Sequence, residues 1–196
     1  MLYNNLNLSV AKIADTNNAN KAVLRSVFFT PNKTVATDSY RLIEVSVDNS
    51  VNVKDFPDNN IMRGCSSFMV ESRDIKNIKL KPNKSLPILS YMALTHLDNK
   101  KVKFIFRPDV SATAEPSLDR IDDRFPEYEK LMSQGKPKVE VSFNAEYLSS
   151  LLDILGQFKK THDVTLKIYA DDKPIILEAH NDSQKGRAML MPIRKG

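Results

Sequence analysis

The 196-residue sequence has no tryptophan, one cysteine, five glycines and no long apolar run. The single Cys65 excludes an internal disulfide framework and a cysteine-based zinc site. It points to a reducing compartment. With no histidine and no helix start beside it, it reads as an inert thiol. Five glycines scattered singly exclude a P-loop, a dinucleotide fingerprint and flexible Gly-rich linkers. The longest apolar-leaning stretch, Leu86 to Leu94, is interrupted by Pro87 and Ser90 and is too short to span a bilayer. Met1 to Leu6 has no basic region followed by an apolar stretch, so no signal peptide is expected. The expectation is a soluble cytoplasmic protein with no membrane partner. Three histidines, His96, His162 and His180, stand apart and at no metal-ligand spacing. Asp122-Asp123 fits a solvated turn. No catalytic residue, metal or cofactor is expected, and no enzyme.

What is present is an ordinary globular composition, with 41% hydrophobic and 27% charged residues. A chain this long buries about 70% of its extended surface without staples. Along it, Leu6, Val10, Ile13 and Ala14 give weak helical periodicity up to Ala22. Val23–Thr30 and Thr34–Val47 read as extended runs around a turn at Pro31-Asn32-Lys33. Asp48 to Gly64 is a polar connection. Phe68–Glu71 is a strand, Ser72 an N-cap, and Ile75 and Ile78 mark a short helix ended by Lys81-Pro82-Asn83. Extended runs follow at Ser90–His96, Val102–Arg107 and Val110–Ile121, with a tight turn at Asp98-Asn99-Lys100.

The plan then repeats. Val139–Phe143 alternates as a half-buried strand, and Asn144 caps a helix over Ala145–Lys160 carrying Leu148, Leu151, Leu152, Leu155 and Phe158. Strands are expected at Val164–Tyr169, Pro174–Ala179 and Arg187–Arg194, with turns at Asp171-Asp172 and Asn181–Gly186. One strand–helix–strands unit thus recurs about three times with a period near 60 residues. The fold class is α+β, with helices on one face of antiparallel sheets. A lone unit exposes sheet edges and must pair.

Lys+Arg exceeds Asp+Glu by 29 to 24, a net charge of +5. The basic residues gather on or beside the predicted helices: Lys12 and Lys21 at the first, Arg73, Lys76, Lys79, Lys81 and Lys84 at the second, Lys159 and Lys160 at the third. A solvated helix face accounts for them. So does a surface that follows phosphates without reading bases.

Four stretches carry a resemblance. Ala36-Thr37-Asp38-Ser39-Tyr40-Arg41-Leu42 resembles the Ala-Thr-Asp-Gly-His-Arg-Leu motif of the bacterial sliding clamp, the β subunit of the replicative DNA polymerase. Arg124-Phe125-Pro126-Glu127-Tyr128-Glu129 is similar to that family's Arg-Phe-Pro-Asp-Tyr-Arg. Phe143 to Leu148 resembles the start of its last helix, and Met191-Pro192-Ile193-Arg194 its closing Met-Pro-Met-Arg. The resemblance implies a DNA-clamp fold, with helices lining a ring around duplex DNA. It implies a DNA-facing set of Lys12, Lys21, Arg73, Lys76, Lys79, Lys81, Lys159 and Lys160. It implies a groove for short peptides of a DNA polymerase and a clamp loader, made by Thr37, Ser39, Tyr40, Arg41, Leu42, Asn144, Tyr147, Met189, Leu190, Met191, Pro192, Ile193 and Arg194. Plain strand core is the other reading of Leu42, Leu190 and Ile193. Ser39-Tyr40 replaces the family's Gly-His and is expected to narrow or fill the groove. Ser133 stands where a proline usually follows.

The chain resembles the family's second domain joined to the last half of its third. The division expected is 1–136, a clamp-like domain of two half-units, and 137–196, a C-terminal half-domain. Family rings resemble twelve half-units, so three per chain imply a ring-forming homotetramer. Its head-to-tail joint would pair the third unit's edge strand with the first unit of the next chain. The rival is a clamp-like adaptor or decoy that binds clamp-binding peptides without encircling DNA.

Overall fold

The computed structural model describes residues 1–17, 20–62, 64–109, 111–132 and 135–193. It divides into two compact units, Met1–Pro126 and Glu127–Gly196.

The first unit is built on one eight-stranded antiparallel sheet. Its elements run β1 (Leu2–Tyr3), α1 (Asn5–Ser9), β2 (Ser26–Phe29), β3 (Lys33–Thr37), β4 (Leu42–Ser46), then β5 (Phe68–Glu71), α2 (Ser72–Asn77), β6 (Met92–Leu97), β7 (Lys101–Phe106) and β8 (Ser117–Ile121). This is strand–helix–three strands, twice. The sheet order is β1-β6-β7-β8-β5-β2-β3-β4. The leading strand of each half therefore crosses to the other half. Leu2 and Tyr3 pair with Ala93 and Met92, while Val70 and Met69 pair with Val27 and Phe28. Neither half completes its sheet alone. One core runs through both, with Leu8 from α1 and Ile75 from α2 meeting Tyr3, Val27, Phe29, Val70 and Phe104. Edge-to-face, stacked and tilted ring pairs among Tyr3, Phe29, Phe68 and Phe104 fill its centre.

The start of the chain departs from the sequence expectation. The first helix is a single short α-helix continued by a 3-10 turn at Val10–Lys12, not a helix toward Ala22. Leu6 is exposed and Leu8 takes the core position. Asparagine starts the helix: Asn4 Oδ1 accepts from the N–H groups of Leu6 and Asn7, and Asn7 Oδ1 accepts from Asn4 N–H. The buried Asn7 amide also donates to the carbonyls of Val45 and Ser46, tying α1 to β4.

Further differences are local. Residues 22–25 form a 3-10 turn, so the strand predicted from Val23 starts at Ser26. The Thr34–Val47 run is a hairpin, folded back at Asp38–Arg41 with Thr37 opposite Leu42. Ser72 is the first residue of α2, not its cap; Glu71 holds the cap position. The turn at Asp98 forms as expected, with Asp98 Oδ1 accepting from the N–H groups of Lys100 and Lys101. Of the Val110–Ile121 run, Ser117–Ile121 is strand, Ala114 bridges Phe106, and Val110 lies outside the described residues.

The second unit holds α3 (Glu129–Met132), α4 (Ala145–Leu155), β9 (Thr165–Lys167), β10 (Ile175–His180) and β11 (Lys185–Leu190). The sheet order is β11-β10-β9. α4 starts where the asparagine cap predicts, with Asn144 Oδ1 accepting from Glu146 and Tyr147 N–H, but it ends at Leu155 and a 3-10 turn at Gly156–Phe158 replaces the helix expected to Lys160. Leu155, Ile175, Leu177, Ala179 and Leu190 are its buried core, flanked by Leu148, Leu151, Leu152 and Phe158. Val139–Phe143 forms no strand. The strand expected at Arg187–Arg194 is Lys185–Leu190, and the segment after it is held to 139–143 by a hydrogen bond from Ile193 N–H to the Ser142 carbonyl, 2.7 Å.

Candidate peptide groove and nucleic-acid interface

The first cluster of implied groove residues is the β3–β4 turn. Asp38 organises it. Its Oδ1 accepts from Tyr40 and Arg41 N–H, both at 3.0 Å, and its Oδ2 from Arg41 Nε at 2.8 Å. Thr37 Oγ1 donates to the Arg41 carbonyl and accepts from Ser39 N–H. The Arg41 side chain foremost, with the backbone donors, holds the Asp38 carboxyl below the usual range. Ser39 has φ +79°, the left-handed region where the family's motif has glycine. Tyr40 is 98% exposed, so its ring projects from the turn. Leu42 is half-buried.

The second cluster lies in the C-terminal unit. Asn144 is occupied as the α4 cap, and Tyr147 stands exposed on the first turn of that helix. Along β11 and its continuation the side chains alternate. Leu190 is buried in the core, while Met189, Met191 and Ile193 are exposed. The core reading held open for Leu190 therefore fits this residue; Ile193 is outward. Arg194 lies outside the described residues, as does Ser133.

Met191, Pro192 and Ile193 line a cleft of about 400 Å3 with Glu140, Ser142, Asp171 and Asp172. Sequence reasoning did not assign those last four. Their signal was present: Glu140 and Ser142 are the polar positions of the 139–143 alternation, and Asp171-Asp172 the turn beside it.

The basic residues of the first unit sit on or beside its helices. Lys12 closes the 3-10 turn after α1, Arg73 and Lys76 lie on α2, and Lys79 and Lys81 follow it. Arg73 reaches across to the Thr16 carbonyl at 3.2 Å. Lys12, Lys21, Arg73, Lys79 and Lys81 are exposed and Lys76 is half-exposed. Lys159 and Lys160 follow the 3-10 turn that ends α4, with Lys160 the more exposed.

Elsewhere the titratable groups serve structure. His96 Nε2 meets Asp98 at 2.8 Å, and His162 Nδ1 meets the Gly156 carbonyl at 2.8 Å. Burial pushes the Cys65 thiol up, away from the reactive thiolate. Among the described residues, no three His, Cys, Asp or Glu side chains gather as a metal site. No helix there is long and apolar enough to cross a membrane.

No protein-family model and no curated protein matches the sequence. Solved structures do match. The DNA polymerase sliding clamp of Pseudomonas aeruginosa aligns at TM-score 0.66 and 14% identity, covering 100% of this chain and 52% of the clamp. That of Bacillus subtilis aligns at TM-score 0.66 and 13% identity, covering 95% and 47%. DNA polymerase III subunit beta of Borrelia burgdorferi aligns at TM-score 0.63 and 13% identity, covering 97% and 48%. The chain spans about half the length of these clamps. Paired strand–helix–strand units with crossed leading strands, followed by a further helix with three strands, thus have the fold of the bacterial DNA polymerase sliding clamp.

Proposed function

We propose that this chain is a sliding-clamp subunit, a non-enzymatic processivity factor that encircles duplex DNA without reading its sequence. It binds short peptides of a DNA polymerase and a clamp loader in an apolar groove, and it works in the cytoplasm. The observation that carries the reading is the match of nearly the whole chain to the clamp fold. Two features of the residues support it. Basic side chains collect on and beside the helices, where phosphates need charge but no base reader. The tail presents Met189, Met191 and Ile193 outward, with Tyr147 on the helix of the same unit, an apolar surface suited to a short peptide. With twelve half-units to a ring, as the family resemblance implies, three per chain make it a homotetramer.

The test is a titration with a short clamp-binding peptide from a replicative polymerase. Tyr147→Ala with Met191→Ala should weaken binding by tenfold or more, about 1.4 kcal/mol. Both residues are exposed, so the variant keeps its fold. Unchanged affinity in the folded double variant sinks the groove assignment. Peptide binding by a chain that gives no processive synthesis and no retention on circular duplex DNA favours the adaptor reading.

A further inference from the structure

We infer that two copies of this chain join through their C-terminal units, each supplying the other's crossed strand. The inference deepens the self-assembly part of the clamp reading. It rests on the strand exchange inside the first unit and on the exposure of matched positions in the second.

The exchange is two-fold in character. The leading strand of the first half pairs with the second half's first post-helix strand, and the reverse holds for β5 on β2. The C-terminal unit follows the same plan: leading segment 139–143, α4, then β9, β10 and β11. Counting back from the helix caps Asn4, Glu71 and Asn144 matches Tyr3, Val70 and Phe143. The hydrogen bond between Ser142 and Ile193 then corresponds to the pairing of Met69 with Ile121. Following the ladders from that row, Met189 to Ile176 to Lys167 runs parallel to Ser117 to Lys103 to His96. Leu166 thereby matches Leu94, and Val164 matches Met92.

At these matched positions the two units differ. Tyr3 and Val70 are 0% exposed, whereas Phe143 is 36% exposed. Leu94 is 0% exposed, whereas Leu166 is 45% exposed. In the eight-stranded sheet, the other half covers each position. In the C-terminal unit, β9 is a sheet edge, and along it opens a cleft of about 550 Å3 that includes Leu152, Val164 and Leu166. The Ser142 carbonyl faces Ile193, so by antiparallel alternation the backbone groups of Val141 and Phe143 point to the opposite side, where a partner strand belongs.

The occupant is a second copy of the same unit. In another chain the first two half-units already complete each other, so the matching vacancy lies in its third. The joint is then isologous: segment 139–143 of each copy lies on β9 of the other. The register of Leu2 on Ala93 and Tyr3 on Met92 carries over as Ser142 opposite Thr165 and Phe143 opposite Val164. Such a two-fold joint replaces the head-to-tail one, and two such dimers supply four chains for a ring.

The experiment uses the full chain with Cys65→Ser, Ser142→Cys and Thr165→Cys. Within one chain these positions lie on opposite edges of the sheet, about three strand spacings or 14 Å apart, beyond disulfide reach. Across the two-fold joint they face each other twice. Mild oxidation should give a covalent dimer at twice the 22.2 kDa chain mass, reversed by reductant. Either single-cysteine variant, and a Ser142→Cys with Lys167→Cys pair out of register, should stay monomeric on a denaturing gel. Phe143→Glu, a position exposed in the single chain, should weaken association at least tenfold in sedimentation, because the joint would bury an unpaired charge. A monomeric mass for the unaltered chain at micromolar concentration overturns the inference, and so does an oligomer whose paired cysteines do not cross-link. Peptide titration of the unaltered chain reads the groove separately, so failure of the joint and failure of the clamp reading are distinct results.

Discussion

Ser39 occupies a conformation that suits glycine. Its φ of +79° places Cβ against the following carbonyl, at a cost of about 1 kcal/mol. The cost is sustained by the Asp38 hydrogen bonds to Tyr40, Arg41 and the Arg41 side chain. Ser39→Gly should therefore raise stability by up to about 0.5 kcal/mol, read as a higher denaturant midpoint, since relief of strain slightly outweighs the extra freedom of the unfolded chain. Asp38→Ala should do the opposite. The pH dependence has a definite sign. The folded Asp38 pKa lies below its unfolded value, so its contribution is present above the ordinary carboxylate range and is lost as pH falls through the folded pKa. The amide signals of Tyr40 and Arg41 should shift over that acid window, and Asp38→Asn should abolish the titration. An Asp38→Asn chain with the same acid-induced shifts would remove Asp38 as the organiser of the turn.

At the scale of elements, Gly186 shows how the C-terminal sheet meets its helix. A Cβ built there would lie 2.7 Å from Phe158 Cζ and 2.8 Å from Leu155 Cδ2. β11 thus approaches α4 and its 3-10 extension closely enough that an added methyl forces both side chains aside. Gly186→Ala should destabilise this unit by about 1–3 kcal/mol, the usual range for overpacking. Hydrogen exchange is the measurement: β10 and β11 should lose protection while β2, β3 and β5 keep theirs. Equal loss in both compact units would mean that they unfold together.

The same unit shows what patterns reveal and where they stop. α4 was legible because five apolar residues recur at helical spacing behind an asparagine cap, and β10 and β11 because turns bound them. The β3–β4 hairpin was not, since Asp38-Ser39-Tyr40-Arg41 lacks the glycine that usually marks such a turn. A two-residue strand such as β1 has no periodicity to read. Val139–Phe143 alternates well, yet alternation says which side is apolar and not whether a neighbouring strand is present. Of the candidate groove, motif likeness suggested the tail, while burial separates the core residue Leu190 from the outward Met189, Met191 and Ile193.

For the whole molecule the net charge of +5 is small, so its placement matters more than its size. If the basic helix-side residues of both units face duplex DNA, they act as a diffuse field, and each phosphate contact releases condensed counterions. The triple change Lys76→Glu, Lys79→Glu and Lys159→Glu reverses two cations in the first compact unit and one in the second. It should weaken duplex binding at every sequence alike. It should also reduce the slope of log K against log salt by about 3, near one for each lysine. Anisotropy of a labelled duplex between 50 and 200 mM salt, about the range where such slopes are readable, gives both numbers. Lys76 closes α2, where a cation is favoured, so its reversal also costs the helix about 0.5 kcal/mol, and a melting curve separates that loss from lost contacts. The polymerase-peptide titration should be unchanged, because none of the three residues lies in the proposed groove. A variant that keeps its salt slope while losing the peptide would place the lysines at the partner surface and leave the DNA path elsewhere.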